Sequence, residues 1–191
     1  MILETLKKCG GLITGIFLLV VLILSMINAL QPEQHVVRLT LTNYDATIYT
    51  GRKVERQISW CMKNQDCATL AEAAYYEARN QDDVGVVAVM RVILNRVEHK
   101  RWPSTIKEVV YNNCQFSYVC DGSLKRDSYE KDQWNRMYSV AYKVLIGGKG
   151  RQKFSGITHY HTTAVNPYWA KHYETVALLG DHIFYKCQKM C

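Results

Sequence analysis

An unbroken apolar segment near the N-terminus limits what this chain can be. Gly10 to Leu30 contains 21 residues without a charged side chain, and the stretch from Ile16 to Leu24 is entirely aliphatic or aromatic. About 20 helical residues are enough to cross the hydrocarbon core of a bilayer. Lys7 and Lys8 precede the segment, and basic residues favour the cytoplasmic side. We therefore expect a transmembrane helix over residues 10–30, with the rest of the chain exported.

This interpretation predicts three regions: an N-terminal signal anchor over residues 1–30, a linker over 31–66, and a folded domain over 67–191. The protein would then be a single-pass protein of the cytoplasmic membrane, with its domain on the outer side. A cleaved signal peptide is one alternative, although Ile27-Asn28-Ala29 is a poor cleavage site. A membrane segment that is later released is another.

The net charge of the chain indicates which classes of molecule it is expected to bind. The formal net charge is +7 at pH 7. A basic exported domain suits anionic partners such as peptidoglycan, teichoic acids or lipid head groups. Nucleic acid is the other usual partner of a basic protein, and the predicted export argues against it.

The cysteines agree with an oxidising compartment. Six of the seven follow the apolar segment, in three close pairs: Cys61 and Cys67, Cys114 and Cys120, and Cys187 and Cys191. Zinc sites more often show shorter spacings between cysteines. We expect disulfides, although six cysteines allow 15 pairings and the local pairing is only one of them.

Periodicity predicts a mostly helical domain. A helix that Asp66 can cap places Leu70, Ala73, Ala74, Glu77 and Ala78 on one face. A second helix over residues 84–97 is apolar on several sides, a short one capped by Ser104 ends near residue 110, and a long amphipathic one covers about 130–146. Residues 157–161 and 182–185 are typical of short strands.

Glu77 is the residue that most suggests chemistry. A carboxylate on an apolar helix face loses hydration, which raises its pKa. A carboxylic acid that stays protonated near neutral pH can donate a proton to a departing glycosidic oxygen. The structural alternative is a glutamate at the rim of the core, paired with Arg79, Arg91 or Arg96. Glu72 falls on the opposite side of the helix and is expected to be solvated.

Two other groups of residues could contribute. Asp82, Asp83 or Asp121 could supply a second carboxylate, but the first two are better explained as helix caps. His159 and His161 would point the same way on a strand, and with His172 or His182 they could bind zinc, although no established zinc motif is present. The four tryptophans and 13 tyrosines all follow the apolar segment, and such rings can stack on sugars.

The residues from position 67 to 187 resemble one known family, the spore cortex-lytic, SleB/CwlJ-type cell wall hydrolases. The matching pieces occur in the family's order. They are Leu70-Ala71-Glu72-Ala73-Ala74-Tyr75-Tyr76-Glu77-Ala78-Arg79, Gly85-Val86-Val87-Ala88-Val89, Val92-Ile93-Leu94-Asn95-Arg96-Val97, Trp102-Pro103-Ser104-Thr105-Ile106-Lys107-Glu108-Val109-Val110, Gln115-Phe116-Ser117, Asp121-Gly122, Asn166-Pro167 with Trp169, and Gly180-Asp181-His182-Ile183-Phe184-Tyr185.

This resemblance implies an α+β, mostly helical, lysozyme-like catalytic domain with a short β-sheet. It implies a peptidoglycan-degrading enzyme without a cofactor or metal, a lytic transglycosylase or muramidase that cuts between N-acetylmuramic acid and N-acetylglucosamine. Glu77 would be its single catalytic glutamate. The residues expected to contact the glycan are Gln115, Ser117, Asp121, Tyr160 and Trp169.

The anchor and the basic charge favour a phage endolysin or an envelope-remodelling enzyme over a spore enzyme. Two alternatives stay open from the sequence. One is a zinc-dependent N-acetylmuramoyl-L-alanine amidase that uses the histidines. The other is a membrane-anchored, non-catalytic protein that binds peptidoglycan and in which Glu77 is structural.

Overall fold

The computed structural model describes residues 50–126 and 130–187. The predicted transmembrane helix over 10–30 lies outside these residues, as does most of the predicted linker over 31–66. Among the described residues, no helix combines the length and the apolar character needed to cross a membrane. The described residues from Lys53 onward belong to one compact unit.

Two consecutive helices open the described chain. Helix α1 covers residues 50–63 and α2 covers Gln65–Ala78. A disulfide between Cys61 and Cys67 joins them, and both cysteines are fully buried. The end of the segment predicted to be a linker is therefore helical and contributes to the core.

The cap of α2 differs from the prediction. Asn64, not Asp66, caps this helix, because the Asn64 side chain accepts a hydrogen bond of 3.0 Å from the backbone N–H of Cys67. Asp66 lies inside the first turn, where a negative charge also suits the helix dipole.

Helix α3 covers Asp83–Val97 and is buried on most of its faces, as predicted. Its cap is Asp82, whose Oδ1 accepts a hydrogen bond of 2.7 Å from Gly85 N–H. Helix α4 covers Ile106–Tyr111 and begins one residue later than predicted. Thr105 caps it in place of Ser104, because Thr105 Oγ1 accepts from Glu108 N–H at 3.2 Å.

The remaining helices are one long and several short ones. Three-residue 3-10 helices cover Asn112–Cys114 and Ser117–Val119, and the four-residue α5 covers Ser123–Arg126. The amphipathic α6 covers Lys131–Leu145, close to the predicted bounds. It packs against α2 and α3 and buries Met137, Val140, Ala141 and Val144.

A small antiparallel sheet completes the domain. Its strands are β1 over Ile157–Thr162, β2 over Glu174–Leu179 and β3 over His182–Lys186, and their order is β1-β3-β2. A 3-10 helix over Tyr168–His172 leads into β2. Strand β1 is an edge strand and packs against α3. The result is a mostly helical α+β domain with a three-stranded sheet, which agrees with the predicted fold class at that level.

Candidate active site

Glu77 and Tyr160 form the centre of the candidate site. Glu77 is the penultimate residue of α2, and its helix buries Leu70, Ala73 and Ala74 completely on the predicted apolar face. The Tyr160 hydroxyl on β1 donates a hydrogen bond of 2.8 Å to Glu77 Oε2. One carboxyl oxygen is therefore held by the sheet, in a side chain that is only half buried.

The surroundings of Glu77 raise its pKa above the ordinary value of 4.5. Burial is the largest cause, and the negative charge of Asp121 adds a smaller contribution in the same direction. The hydrogen bond from Tyr160 and the positive charge of Arg96 act the other way and lower the pKa. The protonated form is thus favoured by the apolar setting, while two neighbours stabilise the ionised form.

Arg96 is a buried cation beside this carboxyl group. Its side chain lies on α3, is 7% exposed, and donates from Nε to the Thr158 carbonyl at 2.8 Å. Its guanidinium carbon lies 5.6 Å from the Phe116 ring centroid and 5.7 Å from that of Trp102. Among the described residues, its Nη1 has no hydrogen-bond partner. Arg96 acts on Glu77 through its charge, whereas the sequence suggested it only as an ion-pair partner.

Glu72 was wrongly expected to be a solvated charge. It is half buried, and its Oε1 accepts hydrogen bonds from the Tyr111 hydroxyl at 2.6 Å and the Tyr118 hydroxyl at 3.1 Å. Tyr118 stacks on Tyr76 with ring centroids 4.5 Å apart. Burial and Glu72 together raise the pKa of Tyr111 and Tyr118, so both remain hydrogen-bond donors. Glu72 therefore anchors the segment that follows α4.

The predicted glycan contacts fall into two groups. Gln115, Ser117 and Asp121 are exposed on the segment between α4 and α5. Asp121 Oδ1 accepts a hydrogen bond of 2.8 Å from Ser123 N–H. The negative charge of Asp121 raises the pKa of Glu77. Tyr160 contacts Glu77 directly. These positions bring Asp121 and Tyr160 to the same carboxyl group from two different elements.

Trp169 packs among histidines and tyrosines on the sheet. Its ring centroid lies 5.4 Å from that of His159 and 5.5 Å from those of His161 and Tyr185. The His161 Nε2 and the Tyr185 hydroxyl are 2.8 Å apart. Among the described residues, no group of three or more His, Cys, Asp or Glu side chains could hold a metal ion. Within these residues, the zinc hypothesis has no set of ligands.

Comparison with known proteins identifies the family. A family model described as Cell Wall Hydrolase matches residues 80–185. The chain belongs to the cell wall hydrolase family. The match begins just after Glu77, so the role of this residue rests on its geometry and on the resemblance of its motif.

Two curated relatives of this cell wall hydrolase are spore cortex-lytic enzymes. The enzyme of Bacillus subtilis is 38% identical over 124 residues, which cover 63% of this chain and 37% of that protein. The enzyme of Halalkalibacterium halodurans is 30% identical over 124 residues, which cover 63% of this chain and 34% of that one. The aligned region thus spans only about a third of the length of these relatives.

Two solved structures share the fold. The catalytic domain of the germination-specific lytic transglycosylase SleB from Bacillus anthracis has a TM-score of 0.52 and 28% identity, over 64% of this chain and 96% of that domain. The catalytic domain of the Bacillus cereus SleB protein has a TM-score of 0.51 and 27% identity, over 64% and 91%. The likeness covers nearly the whole of both catalytic domains.

Proposed function

We propose that this chain cleaves the glycan strands of peptidoglycan between N-acetylmuramic acid and N-acetylglucosamine, as a lytic transglycosylase with Glu77 as its single acid and base. The observation that carries the proposal is the half-buried Glu77 carboxyl group, whose pKa is raised and whose Oε2 accepts from Tyr160. Membership of the cell wall hydrolase family, with relatives named as spore cortex-lytic enzymes and a lytic transglycosylase, supports the same substrate class.

The first step requires the protonated form of Glu77. Its proton passes to the glycosidic oxygen while the bond between that oxygen and the muramyl anomeric carbon breaks. N-acetylglucosamine then leaves as a neutral alcohol. Because burial raises the pKa of Glu77, more of this residue carries the proton near neutral pH than an exposed glutamate would.

The second step requires the ionised form. Glu77 takes the proton of the muramyl 6-hydroxyl as that oxygen bonds to the anomeric carbon. The product has a 1,6-anhydro end, no water is consumed, and Glu77 is protonated again. The Tyr160 hydrogen bond and the Arg96 charge stabilise the carboxylate between the two steps.

Hydrolysis by a muramidase mechanism is the second candidate, and Asp121 is the residue that favours it. A hydrolase would use a second carboxylate to activate water. Asp82 caps α3 and Asp83 pairs with Arg136 at 3.0 Å, so both have structural roles. Asp121 is exposed and acts on Glu77 through its charge. It is therefore the described carboxylate best placed for this role.

Mass spectrometry of digested sacculi tests the proposal. We expect anhydro-muramyl ends from the wild-type protein and from Asp121→Asn, and a loss of about 10²–10⁴ in rate for Glu77→Gln. Reducing ends that disappear with Asp121→Asn would favour the muramidase mechanism. Free stem peptides would identify an amidase. Glu77→Gln activity within a few-fold of wild type would refute the catalytic role of Glu77.

We also propose that the protein works on the outer side of a membrane to which the apolar segment 10–30 anchors it. The proposal rests on the sequence, since this segment lies outside the described residues. An anchored chain should remain in the membrane fraction after an alkaline carbonate wash, with its domain open to protease from outside. A soluble mature protein that lacks the first thirty residues would contradict the anchor and leave the catalytic proposal intact.

A further inference from the structure

A small cavity is lined by Trp102, and the ring of Trp102 lies close to Arg96, the cation whose charge lowers the pKa of Glu77. The cavity has a volume of about 250 Å³, and its lining includes Arg101, Trp102, Asn112, Gln115 and His159. Pockets that take whole small ligands are roughly 300–1,000 Å³. The cavity is therefore sized for a branch of a larger substrate and is too small for a disaccharide.

The chemistry of the lining suits an anion. It contains the guanidinium of Arg101 and the side-chain amides of Asn112 and Gln115, and none of the lining residues is an aspartate or a glutamate. Arg96 adds a second positive charge close to the cavity, since its guanidinium carbon is 5.7 Å from the Trp102 ring centroid and its charge acts on His159. A carboxylate in the cavity would meet a cation and two amide donors.

Arg101 is an exposed residue that lines the cavity. Its guanidinium carbon lies 5.3 Å from the Trp102 ring centroid, within the range of a cation–π contact. The ion pairs among the described residues engage other cations: Arg136 with Asp83, Arg151 with Glu98, and Lys186 with Glu174. Within the described part of the chain, Arg101 has no carboxylate partner of its own.

His159 adds a neutral polar wall. Burial, with the charges of Arg96 and Arg101, lowers the pKa of His159 to about 4. Its ring therefore carries no charge at neutral pH, although it can still exchange hydrogen bonds with a bound group. The positive charge in the cavity consequently stays with Arg101, where a ligand can reach it.

We propose that this cavity binds a carboxylate of the peptide attached to N-acetylmuramic acid, with Arg101 as its counter-ion. The inference rests on the proposed function, because a muramyl group held at Glu77 carries this peptide as its branch. Each extended residue spans roughly 3.3–3.6 Å, so the carboxylates of this peptide lie away from the sugar ring that carries it. The site would make the enzyme prefer glycan that still bears charged peptides.

The test compares native sacculi with sacculi whose carboxyl groups have been converted to primary amides by a carbodiimide and ammonia. Both substrates keep the glycan and the peptides. We expect the wild-type protein to cleave the native sacculi about tenfold faster, and Arg101→Gln to lose that difference by slowing on the native substrate alone.

Lys107→Gln is the matched control. Lys107 is a neighbouring cation on α4 that does not line the cavity; it lines an adjoining depression, which shares Pro103 and Asn112 with the cavity. This variant should keep the tenfold preference. If Arg101→Gln keeps the preference too, the proposal is wrong. An equal loss in both variants would also overturn it, because general attraction to an anionic wall would explain the result. Failure of the wild-type protein to cleave either substrate would instead refute the proposed function.

Discussion

Tyr160 on β1 donates a hydrogen bond of 2.8 Å to Oε2 of Glu77 at the end of α2, across 83 positions of sequence. The sheet thereby fixes one oxygen of the carboxyl group and leaves the other oxygen for the proton. Burial raises the pKa of Tyr160 well above its ordinary value, so the hydroxyl keeps its proton and can donate it near neutral pH.

This relationship predicts the pH profile of Tyr160→Phe. The Tyr160 hydrogen bond lowers the pKa of Glu77, so its loss should raise that pKa and move the alkaline limb of activity to higher pH. The maximal rate should fall about 10-fold to 100-fold, because the carboxyl group loses its orientation. Initial rates on sacculi across the pH range measure both effects.

Tyr185→Phe provides the control for this change, because it removes a neighbouring hydroxyl that bonds to His161 instead of Glu77. Its alkaline limb should stay in place. If the alkaline limb of Tyr160→Phe coincides with that of the wild type, or lies at lower pH, the hydrogen bond does not lower the pKa of Glu77.

A second prediction concerns stability. Between pH 4.5 and the raised pKa of Glu77, the folded protein keeps a proton that the unfolded chain releases, so wild-type stability falls as pH rises through this window. Glutamine does not titrate, and its amide oxygen can still accept from Tyr160. Thermal unfolding should therefore show Glu77→Gln at least as stable as wild type at pH 8, with any advantage vanishing below pH 4.5. If the stability advantage of Glu77→Gln instead grew towards acid pH, the pKa of Glu77 would not be raised in the folded protein.

Glu72→Gln should lower the stability of the protein, in contrast to Glu77→Gln, although Glu72 and Glu77 both lie on α2. The Glu72 carboxylate accepts from two tyrosine hydroxyls, and hydrogen bonds to a charged group contribute about 1.5–3 kcal/mol when buried. Since this site is partly exposed, we expect a loss of about 1–2 kcal/mol in the free energy of unfolding. Urea unfolding at pH 7 measures it, and a variant as stable as wild type would return Glu72 to the role of a solvated charge.

The two disulfides with described partners should differ in their contribution to stability. Each joins cysteines six positions apart, so each closes a loop worth about 2 kcal/mol of chain entropy. Cys61 and Cys67 are fully buried, whereas Cys114 and Cys120 are exposed. Replacing the first pair with serine also leaves two hydroxyl groups in the core, so that double variant should lose more stability in urea unfolding. Equal losses of stability in the two double variants would show that loop closure alone determines the contribution of each disulfide.

Thiol labelling of the unreduced, denatured protein checks the bonds themselves. Cys61, Cys67, Cys114 and Cys120 should all resist labelling, and Cys187, which is also disulfide-bonded, should resist it as well. Labelling of two or more of these positions would contradict the disulfides predicted from the even number of cysteines that follow the apolar segment.

Local patterns in the sequence predicted most of the helices. The burial of Leu70, Ala73 and Ala74 follows directly from their spacing, and the apolar character of residues 84–97 predicted a helix buried on most sides. Helix caps were less well predicted, because neighbouring polar residues such as Asn64 and Asp66 compete for the same backbone donors. Strand β2 was missed, since its mostly exposed residues show no clear alternation.

The predictions from sequence were wrong or incomplete at residues whose partners come from distant positions in the chain. Glu72 was expected to be solvated because its neighbours on the helix are compatible with solvent, but its tyrosine partners come from 39 and 46 positions away. The apolar face predicted a raised pKa for Glu77, whereas the hydrogen bond from Tyr160 depends on how the sheet docks on the helices. Local periodicity carries no information about such contacts.

The turn between β2 and β3 lies against the loop that follows α2. Gln81 Oε1 accepts a hydrogen bond of 3.1 Å from Asp181 N–H, 100 positions later. Gly180 has a left-handed φ of 54°, which favours glycine, and a Cβ atom there would displace the Gln81 side chain from this contact.

Contacts of such long sequence separation close large loops and slow the search for the native state. The carboxyl group and its tyrosine donor are 83 positions apart, so they meet only after β1 has been synthesised and has docked beside α2. A chain that ends before β1 would display Glu77 without this donor. The order of synthesis thus delays the assembly of the complete acid until the sheet has begun to form.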